Sequence, residues 1–586
     1  MKRSKVLALL LASVMVVSMF AACGGGSGTT TTSTPTSTAK TDDGAAADTK
    51  KDEPAPAVEQ APGDTKGLAN MPKSDVVKGK TNQQTYPLTT EKKTLTYWYP
   101  MGGSMSTLSD FNDAEFFQMY EEKTGVHIDF IVPSTGTEAD AFQLLFASDS
   151  FPNMLYVTNG NLKYRDGYDA CIEDGYVIDI TDYYDYVPNY VSWLNSLPDA
   201  QKSVFTDTGR MYGLWHFWDS MTENVYNDQG ISIRKDFLDK VGMDIPTTYD
   251  EWETVLAAFK DQLGIEAPFY TGKYGIDDGE FMAGYGIAPY WYQVDNKVMY
   301  GPMQDAYKDY LTMLNKWYVN GWLDNGFATR QSTGIAADND MILNDKIGAL
   351  IDWGTRMTDA YLTRGATNPE FYAVAAPQPK KSASDPDPAW RNWGNGYGHC
   401  QNTVELVSAE LDEATKELAL RWLDGWYAED IYLQANYGLD EQEGVVWYAA
   451  EDGHRIGDYD FRYANPDGID SATVLVKFWT KNPPIRVEAC QIEQMPPERS
   501  ASYDVWSQYY PTNFLPPMTS MTVDEGSEYA STYTDIETYV QEQNVKFIMG
   551  QRSLDEYDSY RETLKQMGIE RCTELQQAAL DRYNAR

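Results

Sequence analysis

Cysteine is scarce in this 586-residue sequence, and the five that occur, Cys23, Cys171, Cys400, Cys490 and Cys572, are too scattered for a zinc site or a disulfide framework. The last four therefore read as free thiols or, at most, casually paired ones. Histidine is scarcer still: His127, His216, His399 and His454 form no HExxH pair, and neither a Gly-x-Ser-x-Gly elbow nor a phosphate-cradling loop is present. Gly394-Asn395-Gly396-Tyr397-Gly398 is glycine-rich but lacks the strand-turn-helix setting of a dinucleotide site, and reads as a lobe crossing. Basic charge is also short, with 47 Lys and Arg against 87 Asp and Glu and a net charge of −40, which argues against nucleic acid or anionic lipid as a partner. Beyond the N-terminus, no apolar run reaches the length of a membrane span.

What the N-terminus does contain is an ordered set of export signals. Lys2, Arg3 and Lys5 precede the apolar run Val6 to Phe20, which is short for a span and ends in Ala21-Ala22-Cys23. This reads as a signal peptide over 1–22, and its resemblance to bacterial lipoboxes implies that Cys23 becomes a lipidated (palmitoylated) N-terminus. From 23 to 85 the chain is Gly, Thr, Ser, Ala, Pro, Asp and Lys with few large apolar residues, a composition predicting a disordered, lipid-anchored tether. As a flexible coil of about 60 residues it would reach roughly 40 to 45 Å. The 500 or so residues that remain exceed a single core, so two or more lobes are expected.

The folded part opens with Thr94 to Tyr99 as a buried strand, a helix around Phe111 to Lys123, a strand Val126 to Val132, a helix Ala139 to Ala147 and a strand Pro152 to Val157. Strands alternating with helices predict a parallel α/β sheet. The richest stretch runs from Gly209 to Trp252. Gly209 to Leu214 reads as a turn and a short strand emptying into Trp215, His216, Phe217 and Trp218. Ile231 to Leu238 follows, with Gly242 as a stop. Thr248 with Glu251 then makes a capping box, and Trp252, Val255, Leu256 and Phe259 line one face of the helix it opens.

The words Gly209-Arg210-Met211-Tyr212-Gly213-Leu214 and Ile233 to Trp252, in that order, resemble the extracellular solute-binding proteins (family 1) of ABC importers. These form the sugar-binding group that includes maltose-binding protein, and here the long lipoprotein branch of it. Phe116 to Val126, Phe146 to Asn153, Met341 to Gly354, Tyr372 to Pro377, Leu418 to Tyr437, Glu443 to Trp447 and the run Phe547 to Tyr583 match the family too, and Tyr307 to Gly321 reads as an amphipathic helix. The resemblance implies an α/β, two-lobed, periplasmic-binding-protein-like (type II) fold with a hinge, an interlobe cleft and a helical C-terminal extension. It divides the chain into lobe 1 over 86–222 and 378–440, and lobe 2 over 223–377 and 441–586. It further implies a monomeric, non-enzymatic receptor on the extracytoplasmic face of a Gram-positive-type cell membrane. Such a receptor captures an oligosaccharide by hinge closure and delivers it to the transmembrane subunits of an ABC permease, without cofactor, nucleic acid or membrane contact other than the lipid anchor. Some relatives carry a calcium loop after the capped helix; here Lys260 to Phe269 offers too few oxygen ligands, so no metal is expected.

A sugar ring offers a hydroxyl-rich edge and a weakly apolar face, so its binder needs flat aromatic platforms and planar hydrogen-bonding side chains. The expected platforms are Trp98, Trp215, Trp218, Trp291, Trp353, Trp393, Tyr397 and Trp447; the expected polar partners are His216, Arg356, Asn395 and Glu443. Trp98, Trp215 and Trp353 are expected at strand exits facing the ligand. A surface glycoside hydrolase is the alternative, requiring two carboxylates flanking one bond. A peptide-binding receptor of the same fold is a third possibility.

Overall fold

The computed structural model describes residues 66–586 except 102–107, 149, 159–161, 163, 165–166, 221–228, 273–275, 277–278, 331–338, 354–356, 359–362, 364, 389–398, 439–445, 457–458, 465–481, 494–496, 510–512, 514 and 517–518. It gives only the backbone of 66, 339, 352–353, 446–456, 459–464, 491–493 and 497–499.

Residues 66–85 do not continue the tether expected from composition. Met71 is buried in the lobe-1 core. The Gly79 amide donates to Ser192 Oγ at 2.9 Å, Asn82 Nδ2 to Asp430 Oδ1 at 2.9 Å, and Gln84 Nε2 to Asp424 Oδ2 at 2.7 Å. Specific hydrogen bonds, with Met71 as an apolar anchor, hold this segment, and composition does not report them.

Lobe 1 begins with β1 (Lys93–Trp98), α1 (Glu115–Thr124), β2 (Val126–Ile131), α2 (Glu138–Leu145) and β3 (Met154–Thr158), followed by α3 (Pro188–Ser196) and β4 (Leu214–Trp218). β1 pairs in parallel with both β2 and β3, as the strand-helix alternation predicts. The chain then crosses to lobe 2 for β5 (Gln229–Arg234), α4 (Tyr249–Leu263), β6 (Ala267–Tyr270), the hairpin β7 (Trp291–Val294) and β8 (Lys297–Tyr300), α5 (Asp305–Val319), β9 (Ile347–Trp353) and β10 (Ala373–Ala376). It returns through β11 (Cys400–Val407), α6 (Glu413–Gly425) and α7 (Glu429–Tyr437). The hairpin β12 (Val446–Ile456) and β13 (Tyr459–Ala464), then β14 (Ile485–Arg486), α8 (Pro497–Trp506), α9 (Val523–Ile548) and α10 (Ile569–Ala585) complete it. Lobe 1 is built on the sheet β14-β4-β11-β3-β1-β2, and lobe 2 on β10-β5-β9-β6.

α4 forms where its caps predict. Thr248 Oγ1 accepts from the Glu251 amide at 3.3 Å, Glu251 Oε2 accepts from the Thr248 amide at 3.1 Å, and Gly264 ends the helix at φ 70°. Its apolar stripe Trp252, Val255, Leu256 and Phe259 is buried in the lobe-2 core beside Phe269 and Trp317, where α9 adds Ile536, Val540 and Phe547. The segment Lys260 to Phe269 is thus the last turn of α4, a left-handed glycine and the start of β6.

Three boundaries differ from expectation. The single helix read over Leu418 to Tyr437 is two, α6 and α7, because the chain turns at Trp426 to set its indole 4.9 Å from Phe116. Gly425 is required there, since a Cβ would meet Tyr120 Oη at 2.2 Å. The C-terminal part does not stay in lobe 2: β14 pairs with β4 (Ile485 opposite Phe217), and Val487 and Cys490 join the lobe-1 core. Lastly, α10 touches both lobes. Ile569 and Cys572 pack in the lobe-2 core and Tyr583 against lobe 1, where Arg582 Nε lies 2.7 Å from Asp207 Oδ2 and Arg586 Nε 2.9 Å from Asp207 Oδ1. Cys171, Cys400, Cys490 and Cys572 are buried, and no disulfide joins them among the described residues.

Candidate functional site

Strand directions locate the site. In lobe 1, β11 runs antiparallel to β3 and β4, so the C-terminal ends of β1, β2, β3, β4 and β14 share one sheet edge with the start of β11. In lobe 2, the ends of β6, β9 and β10 share an edge with the start of β5. Two of the crossings between the lobes, 219–228 and 377–399, join these two edges. Carboxyl ends of strands beside a crossing are where open α/β sheets bind ligands.

On the lobe-1 side, Trp218 closes β4. The Arg486 guanidinium lies 5.4 Å from its ring centroid, and the Trp218 amide donates to the His399 carbonyl at 2.8 Å. Asp219 opens the first crossing and is held down at once: its Oδ1 accepts from the Glu488 amide at 2.9 Å, and Lys78 Nζ donates to its carbonyl. Ser220 Oγ donates to Glu488 Oε2 at 2.6 Å. Burial raises the Asp219 carboxyl above its ordinary range, against the donations it receives. These anchors, from Lys78, Arg486 and Glu488, lie far from Trp218 in sequence, and nothing local in the chain points to them.

Several expected site residues instead belong to the lobe-1 interior. Trp215 is the second residue of a five-residue strand flanked by β11 and β14, not its exit; the indole is fully buried, 5.5 Å from Tyr212. Trp98 does end β1, but its ring is 1% exposed and packs 5.6 Å from Phe142 of α2. Neither offers a free face to a ligand, because helices and neighbouring strands cover both sides of this sheet. His216 is also fully buried; its Nε2 donates to Glu405 Oε1 at 2.9 Å, while Tyr97 Oη donates to Glu405 Oε2 at 2.8 Å. Burial lowers the His216 pKa despite the opposing pull of Glu405, and the ring serves an internal network. Trp291 lies in the β7–β8 hairpin, 4.6 Å from Tyr300 and 5.5 Å from Tyr533 of α9, and fastens the hairpin to that helix.

Trp98, Trp218 and Trp353 are the expected platforms whose backbones stand at the ends of strands on the facing edges, Trp353 opposite Gln229; the Trp218 side chain is itself buried, at 3% exposed. Trp447 falls in β12. Cys23, Arg356, Trp393, Asn395, Tyr397 and Glu443 lie outside the described residues. Of the described carboxylates near the lobe-1 edge, Glu405 is taken by His216 and Tyr97, and Asp219 by the Glu488 amide. Neither is placed as a general acid or base.

No family model matches the chain. It is 24% identical over 536 residues to the fructooligosaccharide ABC transporter substrate-binding protein FusA of Streptococcus pneumoniae, a match covering 86% of this chain and 92% of that protein. With the polygalacturonan/rhamnogalacturonan-binding protein YtcQ of Bacillus subtilis it shares 26% identity over 345 residues, 57% of this chain and 63% of that one. The crystal structure of the alginate-binding protein AlgQ2 without calcium matches at a TM-score of 0.68 and 19% identity, over 84% of this chain and 99% of that one. The chain is therefore a homologue of the substrate-binding proteins of ABC transporters and has the two-lobed fold of solute-binding proteins.

Proposed function

We propose that this protein is the lipid-anchored receptor of an ABC importer, which traps a neutral oligosaccharide between its lobes and passes it unchanged to the permease. The observation that carries this reading is the match to a fructooligosaccharide-binding protein along nearly the whole of both chains. Closure is the physical mechanism. A ligand held by both strand edges gains its full contact energy only when the lobes come together, so it shifts the population toward the closed form that a permease can recognise. A net charge of −40 favours a neutral glycan over a polyuronate, whose carboxylates would be repelled. Cys23 supplies the anchor, and the multiple acyl chains of such an N-terminus hold a protein at the membrane where one chain would not.

A thermal-shift screen tests the reading. Kestose and other neutral oligosaccharides should raise the unfolding temperature with concentration, because a ligand that binds only the native state stabilises it by mass action. The glycan should be recovered intact after long incubation. A rise with galacturonans and none with neutral glycans would overturn the substrate class, and shortened sugars would bring back the hydrolase.

A further inference from the structure

Two glutamines mark the lobe-2 edge. Gln229, the first residue of β5, is fully buried, and neither its Nε2 nor its Oε1 has a hydrogen-bond partner among the described residues. Gln378 is 5% exposed, and its Oε1 is likewise without one. Gln378 lies two residues beyond Ala376, which is paired with Ile231 of β5, so both amides sit at the cleft end of neighbouring strands. On its other side Gln229 is in register with Trp353.

Burying an amide with its hydrogen bonds unmade costs a fold stability, and native proteins rarely leave one so. The opposite face of β5 is closed at the next residue, where a Cβ on Gly230 would meet the Trp506 indole at 2.4 Å and Trp506 Nε1 donates to the Ile231 carbonyl at 3.2 Å. At the far end of β5, Arg234 Nη2 is held by Asp236 at 2.7 Å and by Asp345 at 2.6 Å, and its unpartnered Nη1 belongs to a guanidinium already neutralised by these two carboxylates. At the end of the strand where the crossings leave, both polar atoms of the Gln229 side chain are unmade, beside Gln378 Oε1.

We propose that Gln229 and Gln378 are the ligand-reading amides of lobe 2. Each carries a donor and an acceptor side by side, the spacing at which two vicinal ring hydroxyls offer an acceptor and a donor, and a glycan drawn into the closing cleft completes the bonds the protein leaves open. A neutral amide pair supplies hydrogen bonds but no positive charge to offset a sugar carboxylate. The inference rests on the oligosaccharide reading above and adds to it the residues that choose between sugars.

The test uses Gln229→Met, Gln378→Met and the double variant of the mature chain. Kestose, or the neutral glycan giving the largest thermal shift with wild type, is titrated calorimetrically beside thermal unfolding without ligand. Methionine keeps the length and removes the unpaired polar atoms, so each single variant should unfold at the same or a higher temperature, yet bind at least tenfold more weakly. Affinity within twofold of wild type in the double variant would overturn the assignment while leaving the receptor reading intact. A lower unfolding temperature in both single variants would also overturn it, by showing the amides to be structural. Failure of wild type to bind any neutral glycan would sink both readings together.

Discussion

Replacing Trp215 by alanine should unfold lobe 1 more easily and leave ligand affinity largely alone. The indole is fully buried in the interior of a six-stranded sheet, against Tyr212, and the Trp215 backbone is clamped on both sides: its amide donates to Tyr190 Oη at 3.2 Å and its carbonyl accepts from Tyr427 Oη at 2.9 Å. An aromatic side chain of this size buries roughly 200 Å², worth about 5 kcal/mol at 25 cal/mol per Å². Truncations of buried Phe and Trp cost about 3 to 5 kcal/mol once the site partly relaxes. Against a net stability of about 5 to 15 kcal/mol, such a loss is large. Urea denaturation followed by tryptophan fluorescence reads it directly, and calorimetric titration with the glycan reads the affinity in the same samples at a temperature where the variant is folded. Near-native stability with a tenfold or greater loss of affinity would refute the argument and return Trp215 to the cleft.

Asp424 is fully buried, and desolvation raises its pKa to about 7, against donations from Gln84, Asn189 and Tyr190. The folded form therefore holds this proton more tightly than an unfolded chain whose carboxyl titrates near 4. Stability should fall as pH rises from about 4 to about 7, by on the order of 4 kcal/mol from this group; an Asp424→Asn variant with an unchanged slope over that window would exclude Asp424 as its source. Asp207→Asn leaves Arg582 and Arg586 facing an uncharged partner, the Asp207 and Arg586 side chains being only 7% and 6% exposed, and should cost about 3 to 5 kcal/mol while exposing α10 to proteolysis. Protection of the C-terminus equal to wild type would show that the clasp contributes little. Cys23→Ser should abolish labelling by a fatty-acid analogue in living cells, and equal labelling of the two would remove the anchor.

The local elements were legible because their causes are local. Thr248 and Glu251 cap a helix wherever that helix lies, and the spacing of Trp252, Val255, Leu256 and Phe259 sets which face is apolar. The alternation of strands and helices from Lys93 to Thr158 dictates parallel pairing, and the motif words along the chain carried the resemblance that the fold bears out. What periodicity does not encode is which neighbour covers a face. β4 reads as a strand that empties aromatics into a cleft, but β14, some 270 residues later, adds itself to one side and β11 to the other, so Trp215 and His216 become interior. The segment 66–85 has the composition of a tether and is nevertheless docked, because Ser192, Asp424 and Asp430, distant in sequence, supply its hydrogen bonds. Gln229 and Gln378 are unremarkable in the sequence, and only the pairing of β5 with β9 and β10 brings them to the edge where the lobes meet. Local propensity and resemblance determined the elements and the fold class; long-range pairing, which depends on contacts between residues far apart in the chain, decided which side chains face a partner and which face a ligand.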